Sequence, residues 1–470
     1  MITRRNFVAN STAFGALAGL PILVPTRAAD GFLELRAQIT PTALVPDNST
    51  MSDTWLFEGQ TPGPEIRIRQ GDRVRVRLIN ELNQPTSIHW HGIRIDNAMD
   101  GVSGLTQKPA QPGDRFDYEF VVPDAGTFWY HAHHRSWEQV ARGLYGPLIV
   151  EEPQPAFDID HDITLMLDDW WLDQHGALRL NFDDYLDDGK QGGRIGNHFT
   201  LNGRPLGGEV PIKAGEAYRL RFINAANARI FTIDPTQIGA QLIAKDGQPV
   251  PKTMRTIDQQ LTISPAQRID LLFQPKPGGS ATLTDPTEEV GFLNGTVSPI
   301  IKFPIQGDRN PSNFARWPAE NKLPQLDLTH AKEVEILMKG GAVGEIDGAI
   351  FRGQKLDADQ LLESKQVWTF NNVANLPIEP MFKAQRGETI IIKMINQTGW
   401  QHAMHVHGHH FLVLNNDQSM ANGIRYDTYL VDRMQSVSIA FVADNPGKWL
   451  LHCHMLQHAT AGMRTWFEVA

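Results

Sequence analysis

Three segments of the chain repeat one pattern, and that repetition restricts its fold more than any other feature. Gln70 to Asn80 reads Gln-Gly-Asp-Arg-Val-Arg-Val-Arg-Leu-Ile-Asn, and Ala214 to Asn224 and Arg386 to Asn396 follow the same plan. In each, Gly and Asn stand nine apart, and the residues between them alternate as a half-buried strand does. Three copies predict three related β domains, which agrees with 470 residues at roughly 150 per domain. A second motif occurs in the first and last copies: Pro123-Asp124-Ala125-Gly126 leads to His131-Ala132-His133, and Asn445-Pro446-Gly447 leads to His452-Cys453-His454. The expected division is a leader over 1–29, a first domain over 30–153, a second over 154–304, a linker over 305–325 and a third domain over 326–470. Asp168 to Trp171 and Asp357 to Ser364 carry too little periodicity to separate short helix from loop.

The N-terminus predicts export. Thr3-Arg4-Arg5-Asn6-Phe7 precedes an apolar, small-residue run from Phe14 to Val24 and a processing region at Thr26-Arg27-Ala28-Ala29. The arginine pair points to the twin-arginine route and a periplasmic product, with cleavage after Ala28 or Ala29; a Sec leader or an N-terminal anchor is the alternative. Removing a leader that carries three arginines and no acid takes the formal charge from -10 to -13, which argues against a nucleic-acid partner. No later run is apolar enough to span a bilayer, so no transmembrane segment is expected in the mature chain. A monomer is expected. A single cysteine in an exported chain cannot close an internal disulfide, which leaves metal binding or plain burial for Cys453.

The repeat also locates the chemistry. Nine and eleven residues after Asn80 come His89 and His91, and the same offsets from Asn396 give His405 and His407; from Asn224 they give Ile233 and Pro235. The middle domain is therefore expected to be a spacer without ligands. Ten of the seventeen histidines fall in four clusters, 89–91, 131–133, 402–407 and 452–458. A lone His-x-His is weak evidence of a metal, but each pair sends both imidazoles to one side of its strand. Four pairs at matched offsets supply eight neutral nitrogen donors to one interdomain cavity, enough for a cluster of ions.

Around Cys453 the donors are softer. A thiolate, two imidazoles and a weak axial thioether make a blue-copper electron-transfer site, and the candidates are Cys453, His402, His458 and Met463. The corresponding positions in the first domain are Ala132, Thr86, Trp137 and Arg142, so only the last domain carries this set. On a strand, His452 and His454 face one side and Cys453 the other, so one segment serves two metal sites. His134, His409 and His410 are read as bystanders or as groups behind the ligands.

With these motifs, the chain resembles a three-domain multicopper oxidase of the laccase and copper-efflux-oxidase type along its whole mature length. The resemblance implies an all-β fold of three cupredoxin-like Greek-key β-sandwich domains and four coppers per chain. His402, Cys453, His458 and Met463 would hold the type 1 copper, and His89 and His405 the type 2 copper. His91, His131 and His454 would hold one type 3 copper, and His133, His407 and His452 the other. Electrons would pass from Cys453 through His452 and His454 to the cluster, where dioxygen is reduced to water. Asp100 matches the family's carboxylate beside the cluster and would steer protons; a turn aspartate before Gly101 is the competing reading. Relatives often place carboxylates beside the type 1 histidine, whereas this chain has Gln457 and Ala459.

The reducing substrate is less legible. The Met-rich insertion of copper-efflux relatives is absent from 338–345, which holds one Met. A laccase-like enzyme acting on phenols or aromatic amines is therefore the first reading. Cuprous or other metal-ion oxidation, copper storage without turnover and a copper-free structural relative are the alternatives. His458 is expected to be the copper ligand nearest the surface, with Trp400 and Gln401 lining the port, Trp400 either stacking on a phenol or shielding the copper.

Overall fold

A computed structural model describes residues 28–286 and 299–470, apart from residues 47, 315 and 345. The predicted leader lies outside the described residues but for Ala28 and Ala29. The fold is all-β, three cupredoxin-like β-sandwich units in series. The first packs Ser52–Phe57, Leu33–Thr42, Arg73–Asn80 and Arg115–Val121 against Ile66–Arg69, Tyr145–Glu151, Gly126–Ala132 and Ile88–His91. The middle unit centres on a seven-stranded sheet around Asp162–Trp170, Tyr218–Asn224 and Arg268–Phe273. The last pairs a nine-stranded sheet with a five-stranded one that holds His402–Val406 beside Gly447–Cys453. Asp168 to Trp170 proves to be strand, while Ala358–Glu363 is a helix closed by an Asp357/Gln360 capping box. Among the described residues no helix is long and apolar enough to cross a membrane.

The repeated Gly and Asn have a common physical cause. Gly71, Gly215 and Gly387 adopt φ of 86°, 77° and 90° at the turn that starts each repeat strand, a conformation that penalises a Cβ. Each Asn ends its strand and folds the chain back with three hydrogen bonds. Asn80 Oδ1 accepts from Leu82 N, while Nδ2 donates to the Gln84 and Ala110 carbonyls. Asn224 does the same with Ala226 N and the Arg229 and Ile263 carbonyls. Asn396 repeats it with Thr398 N and the Trp400 and Asp432 carbonyls. These bonds set the path of the loop into the next strand, and so fix the offset at which His89 and His405 appear.

Apolar packing then brings the units together. The core of the middle unit, including Phe222 and Ile263, is continuous with that of the last, including Trp368 and Trp449. A smaller cluster joins Trp129 and Tyr145 of the first unit, Met166 and Ile223 of the middle one and Leu456 of the last. Asn396→Ala should cost about 2 to 4 kcal/mol, because four bonds go, the three above and one from Thr398 Oγ1, and two partly buried carbonyls lose a donor. A lowered thermal midpoint checks this; an unchanged one would mean that the surrounding sheet alone holds the turn.

Candidate metal centre

Antiparallel register assembles the donors before any loop is considered. His402–Val406 pairs with Gly447–Cys453 so that His405 lies opposite His452 and Met404 opposite Cys453. Side chains alternate, so the histidine pair points to one face and the Met404–Cys453 pair to the other. In the first unit His89 lies opposite His131 in the same way. Three histidine triads result: His89, His91 and His405; His91, His131 and His454; and His133, His407 and His452. His91 stands in two of them, and the His407 ring of the third lies 4.0 Å from that of His89, so the eight rings line one continuous cavity between the first and last units.

Most of these rings already have one nitrogen committed to the protein. Backbone carbonyls accept from Nδ1 of His89 (Asp100, 2.8 Å), His131 (Ala132, 3.1 Å), His405 (Asp427, 2.8 Å) and His452 (Cys453, 2.9 Å). Carboxylates accept from His407 Nδ1 (Asp100, 3.0 Å) and His91 Nε2 (Asp427, 3.1 Å). The opposite nitrogens turn inward. Among the described residues the inward His89 Nε2, His405 Nε2 and His91 Nδ1 have no hydrogen-bond partner, while His454 turns its Nε2 to His131 Nε2 at 3.5 Å. His407 Nε2 and His452 Nε2 face each other at 3.2 Å although both rings carry their proton on Nδ1. Opposed lone pairs at that distance repel, and a cation between them removes the repulsion. Burial first, then the neighbouring imidazoles, pushes His131, His133, His407, His452 and His454 well below their ordinary pKa, which leaves neutral donors. The donor set fits bound copper.

Behind the opposite face of Cys453 lies the second centre. His402 Nδ1 and His458 Nδ1 are 3.1 Å apart, and each is 3.7 Å from Cys453 Sγ. Their Nε2 atoms donate elsewhere, His402 to Thr398 Oγ1 at 2.8 Å and His458 to the Gln191 carbonyl at 2.6 Å, so both Nδ1 lone pairs face the sulfur. Burial pushes the Cys453 thiol up to about 12, so a thiophilic cation is needed to hold the thiolate at neutral pH. Met463 is fully buried, with its N–H on the His458 carbonyl and its carbonyl accepting from Cys453 N.

His458, expected to be the copper ligand nearest the surface, lies beneath a cover. Its ring is fully buried, covered by Gln191 of the middle unit and by Trp368, whose ring centre lies 4.8 Å away. Trp400 is half-buried and packs toward Gly192, with its Nε1 unpartnered. Gln401 follows it at intermediate exposure.

Three family models, each described as multicopper oxidase, match residues 38–155, 161–282 and 353–470. The chain belongs to the multicopper oxidases. It is 28% identical to the multicopper oxidase MmcO of Mycobacterium tuberculosis over 91% of this chain and 86% of that protein. With Laccase-1 of Fomitopsis schrenkii the identity is 30%, over 87% and 81%. The crystal structure of a multi-copper oxidase from Pseudomonas thermotolerans superposes with a TM-score of 0.79 at 32% identity, covering 93% of this chain and 98% of that one. Lac15 from a marine microbial metagenome gives 0.72 at 35% identity, over 93% and 99%.

In this multicopper oxidase two carboxylates stand directly behind the imidazoles. Asp100 bonds His407 Nδ1, and its Oδ1 is 3.2 Å from His89 Nδ1. It is also a turn residue, closing the short helix Asn97–Met99 with its N–H on the Asn97 carbonyl. Sequence reasoning missed Asp427. Its carboxylate accepts from His91 and from both terminal nitrogens of Arg268, at 2.9 and 2.6 Å, and its carbonyl holds His405. Burial alone would raise Asp427, but Arg268 and His91 hold it well below the usual carboxylate range. Arg268 comes from the middle unit and also donates to the Thr127 carbonyl of the first, while Gly92 leaves room for it. The middle unit thus supplies no imidazole but anchors two through this ion pair. His410 Nε2 lies 3.9 Å from the same carboxylate, and His409 bonds the His407 carbonyl, so both stand behind the ligands. Asp427→Asn should destabilise the fold by about 1 to 3 kcal/mol, because buried Arg268 loses its two bonds to the carboxylate and keeps only Asp246 at 3.5 Å as counter-charge. It should also lower copper content at the imidazole cavity while the blue band persists; full copper loading would show that His91 is held without Asp427.

Proposed function

We propose that this oxidoreductase couples one-electron oxidation of small phenols or aromatic amines at the Cys453 centre to reduction of dioxygen at the eight-imidazole cavity. The observation that carries the reading is the covalent continuity of His452-Cys453-His454, in which the thiol groups with His402 and His458 while its two neighbours group with the imidazole triads. Bound copper supplies reversible one-electron chemistry at the thiolate and multi-electron reduction of dioxygen at the cavity. Four copper ions per chain are proposed. His402, Cys453, His458 and Met463 hold the first, and His89 and His405 the second. His91, His131 and His454 hold the third, and His133, His407 and His452 the fourth. The reaction balances as four substrate electrons and four protons per dioxygen, giving two waters. The laccases among the relatives support the substrate class, as does the lack of a Met-rich segment at 338–345.

The protein's own groups perform the remaining work. Backbone carbonyls and carboxylates orient six of the eight imidazoles, so little reorganisation follows an electron. Cys453 joins the two centres through its own main chain, and its 0% exposure keeps water from the thiolate. Asp100, between His89 and His407, is placed to hold a proton bound for oxygen. Domain limits of 30–153, 154–304 and 326–470, and export through a twin-arginine leader to the periplasm, complete the proposal.

Cys453→Ser should abolish the blue colour and turnover while copper stays bound at the imidazole cavity, as copper analysis and absorption would record. Loss of all copper in that variant would refute the division into two centres. Asp100→Asn should leave reduction of the blue centre by substrate fast and slow oxygen consumption, with a changed pH profile. Unchanged oxygen turnover across the acid and neutral range would leave Asp100 only its turn role.

A further inference from the structure

The nitrogen through which an aromatic donor would meet the thiolate centre is already taken. His458 Nε2 donates to the Gln191 carbonyl at 2.6 Å, although Gln191 is itself exposed on its outer side. A single residue of the middle unit therefore separates solvent from the ring. It sits in the strap Asp184–Arg194, which leaves the middle unit's sheet and lies over the last unit. Four contacts besides that bond seat it. Trp368 Nε1 donates to the Gly189 carbonyl, and Ala342 N to the Lys190 carbonyl at 2.6 Å. Gln457 Oε1 accepts from Arg194 N at 3.1 Å, which gives this residue a use where a carboxylate stands in related enzymes. Gly193 lies so close to the middle unit that a Cβ would meet Ala228 Cβ at 2.7 Å.

We propose that Gln191 and the strap that carries it determine which reductants this enzyme oxidises; the inference rests on the laccase-like reading above. With the strap seated, the Gln191 carbonyl fills the position on the His458 N–H that a phenolic oxygen needs, and Trp368 and Trp400 flank the remaining approach. A ring-bearing donor then reaches His458 only when the strap lifts. A reductant that transfers an electron without touching the imidazole passes it through the exposed Gln191 peptide and its hydrogen bond. In both cases the donor loses one electron, a phenol also releases its hydroxyl proton to solvent, and dioxygen is the terminal acceptor. Acceptance by the Gln191 carbonyl also makes the imidazole more electron-rich, which favours the oxidised centre and lowers its potential.

Gly193→Val in the copper-loaded enzyme tests this, because the branched side chain cannot fit against Ala228 and pushes the strap outward. Ala342→Pro removes a tether at a point remote from the ligands and provides a second route if the first variant folds poorly. Gly192→Ala is the seated control, since its Cβ would make only ordinary contacts, 3.4 Å from Ile195 and 3.7 Å from Trp400. Hydrogen exchange over 189–194, the potential of the blue centre, and kcat/KM for 2,6-dimethoxyphenol and for hexacyanoferrate(II) are measured. Lifting the strap should speed exchange and raise the potential. It should also increase kcat/KM for the phenol by about tenfold while hexacyanoferrate changes by less than about threefold. Faster exchange with equal changes for the two reductants and an unshifted potential would overturn the proposal. So would exchange and kinetics unaltered in both variants. A shifted potential without oxidation of either donor would instead refute the substrate class and leave the strap's hold on His458 intact.

Discussion

The period of two along one β-strand is the constraint on which both metal centres depend. Between Gly447 and Cys453 the chain is fully extended, so adjacent side chains leave in opposite directions. A thiol placed between two imidazoles on such a strand can belong to a different centre from its neighbours while staying one residue away. The pairing of Met404 with Cys453 and His405 with His452 carries this separation across to the next strand. Slipping that pairing by one residue would put sulfur and nitrogen donors on one face and leave neither centre complete.

Burial makes the same arrangement chemically ready. Rings taken out of water lose their affinity for protons, and committing one nitrogen to a carbonyl or carboxylate leaves the other as a bare donor. That readiness has a cost in the fold, because lone pairs such as those of His407 and His452 are turned toward each other at 3.2 Å. The negative charges behind the rings need balance as well. Arg268 provides it for Asp427 without touching any imaginable ligand position, and does so from a unit that has no imidazole in the cavity.

Much of this was legible in the sequence, and the exceptions have a common cause. The repeated Gly and Asn could be read because each copy performs the same turn with the same bonds. The histidine clusters could be read because two copies place them at equal offsets. Asp427 and Arg268 each occur once, with no counterpart to align, and only tertiary packing brings these residues, 159 positions apart, into contact. Gln191 was invisible for a further reason: it acts through its main-chain carbonyl, which every residue possesses. The cover over His458 could not be read either, since the residues around the ligand give no sign of a segment from another unit lying over it. The short helix at Ala358–Glu363 could not be separated from loop because six residues hold too few turns to display a period.

The ion pair between Arg268 and Asp427 has a consequence for synthesis. Half of the imidazoles lie before residue 134 and the other half after residue 404, while the arginine that anchors His91 through Asp427 lies between them. A nascent chain that has folded its first unit therefore holds His89, His91, His131 and His133 as an open half-shell, unable to enclose an ion. Enclosure waits for residues 405–470 to leave the ribosome and for a loop of several hundred residues to close. An unfinished or C-terminally clipped chain has no closed cavity in which to retain a redox-active metal, so the connectivity itself keeps incomplete products from carrying one.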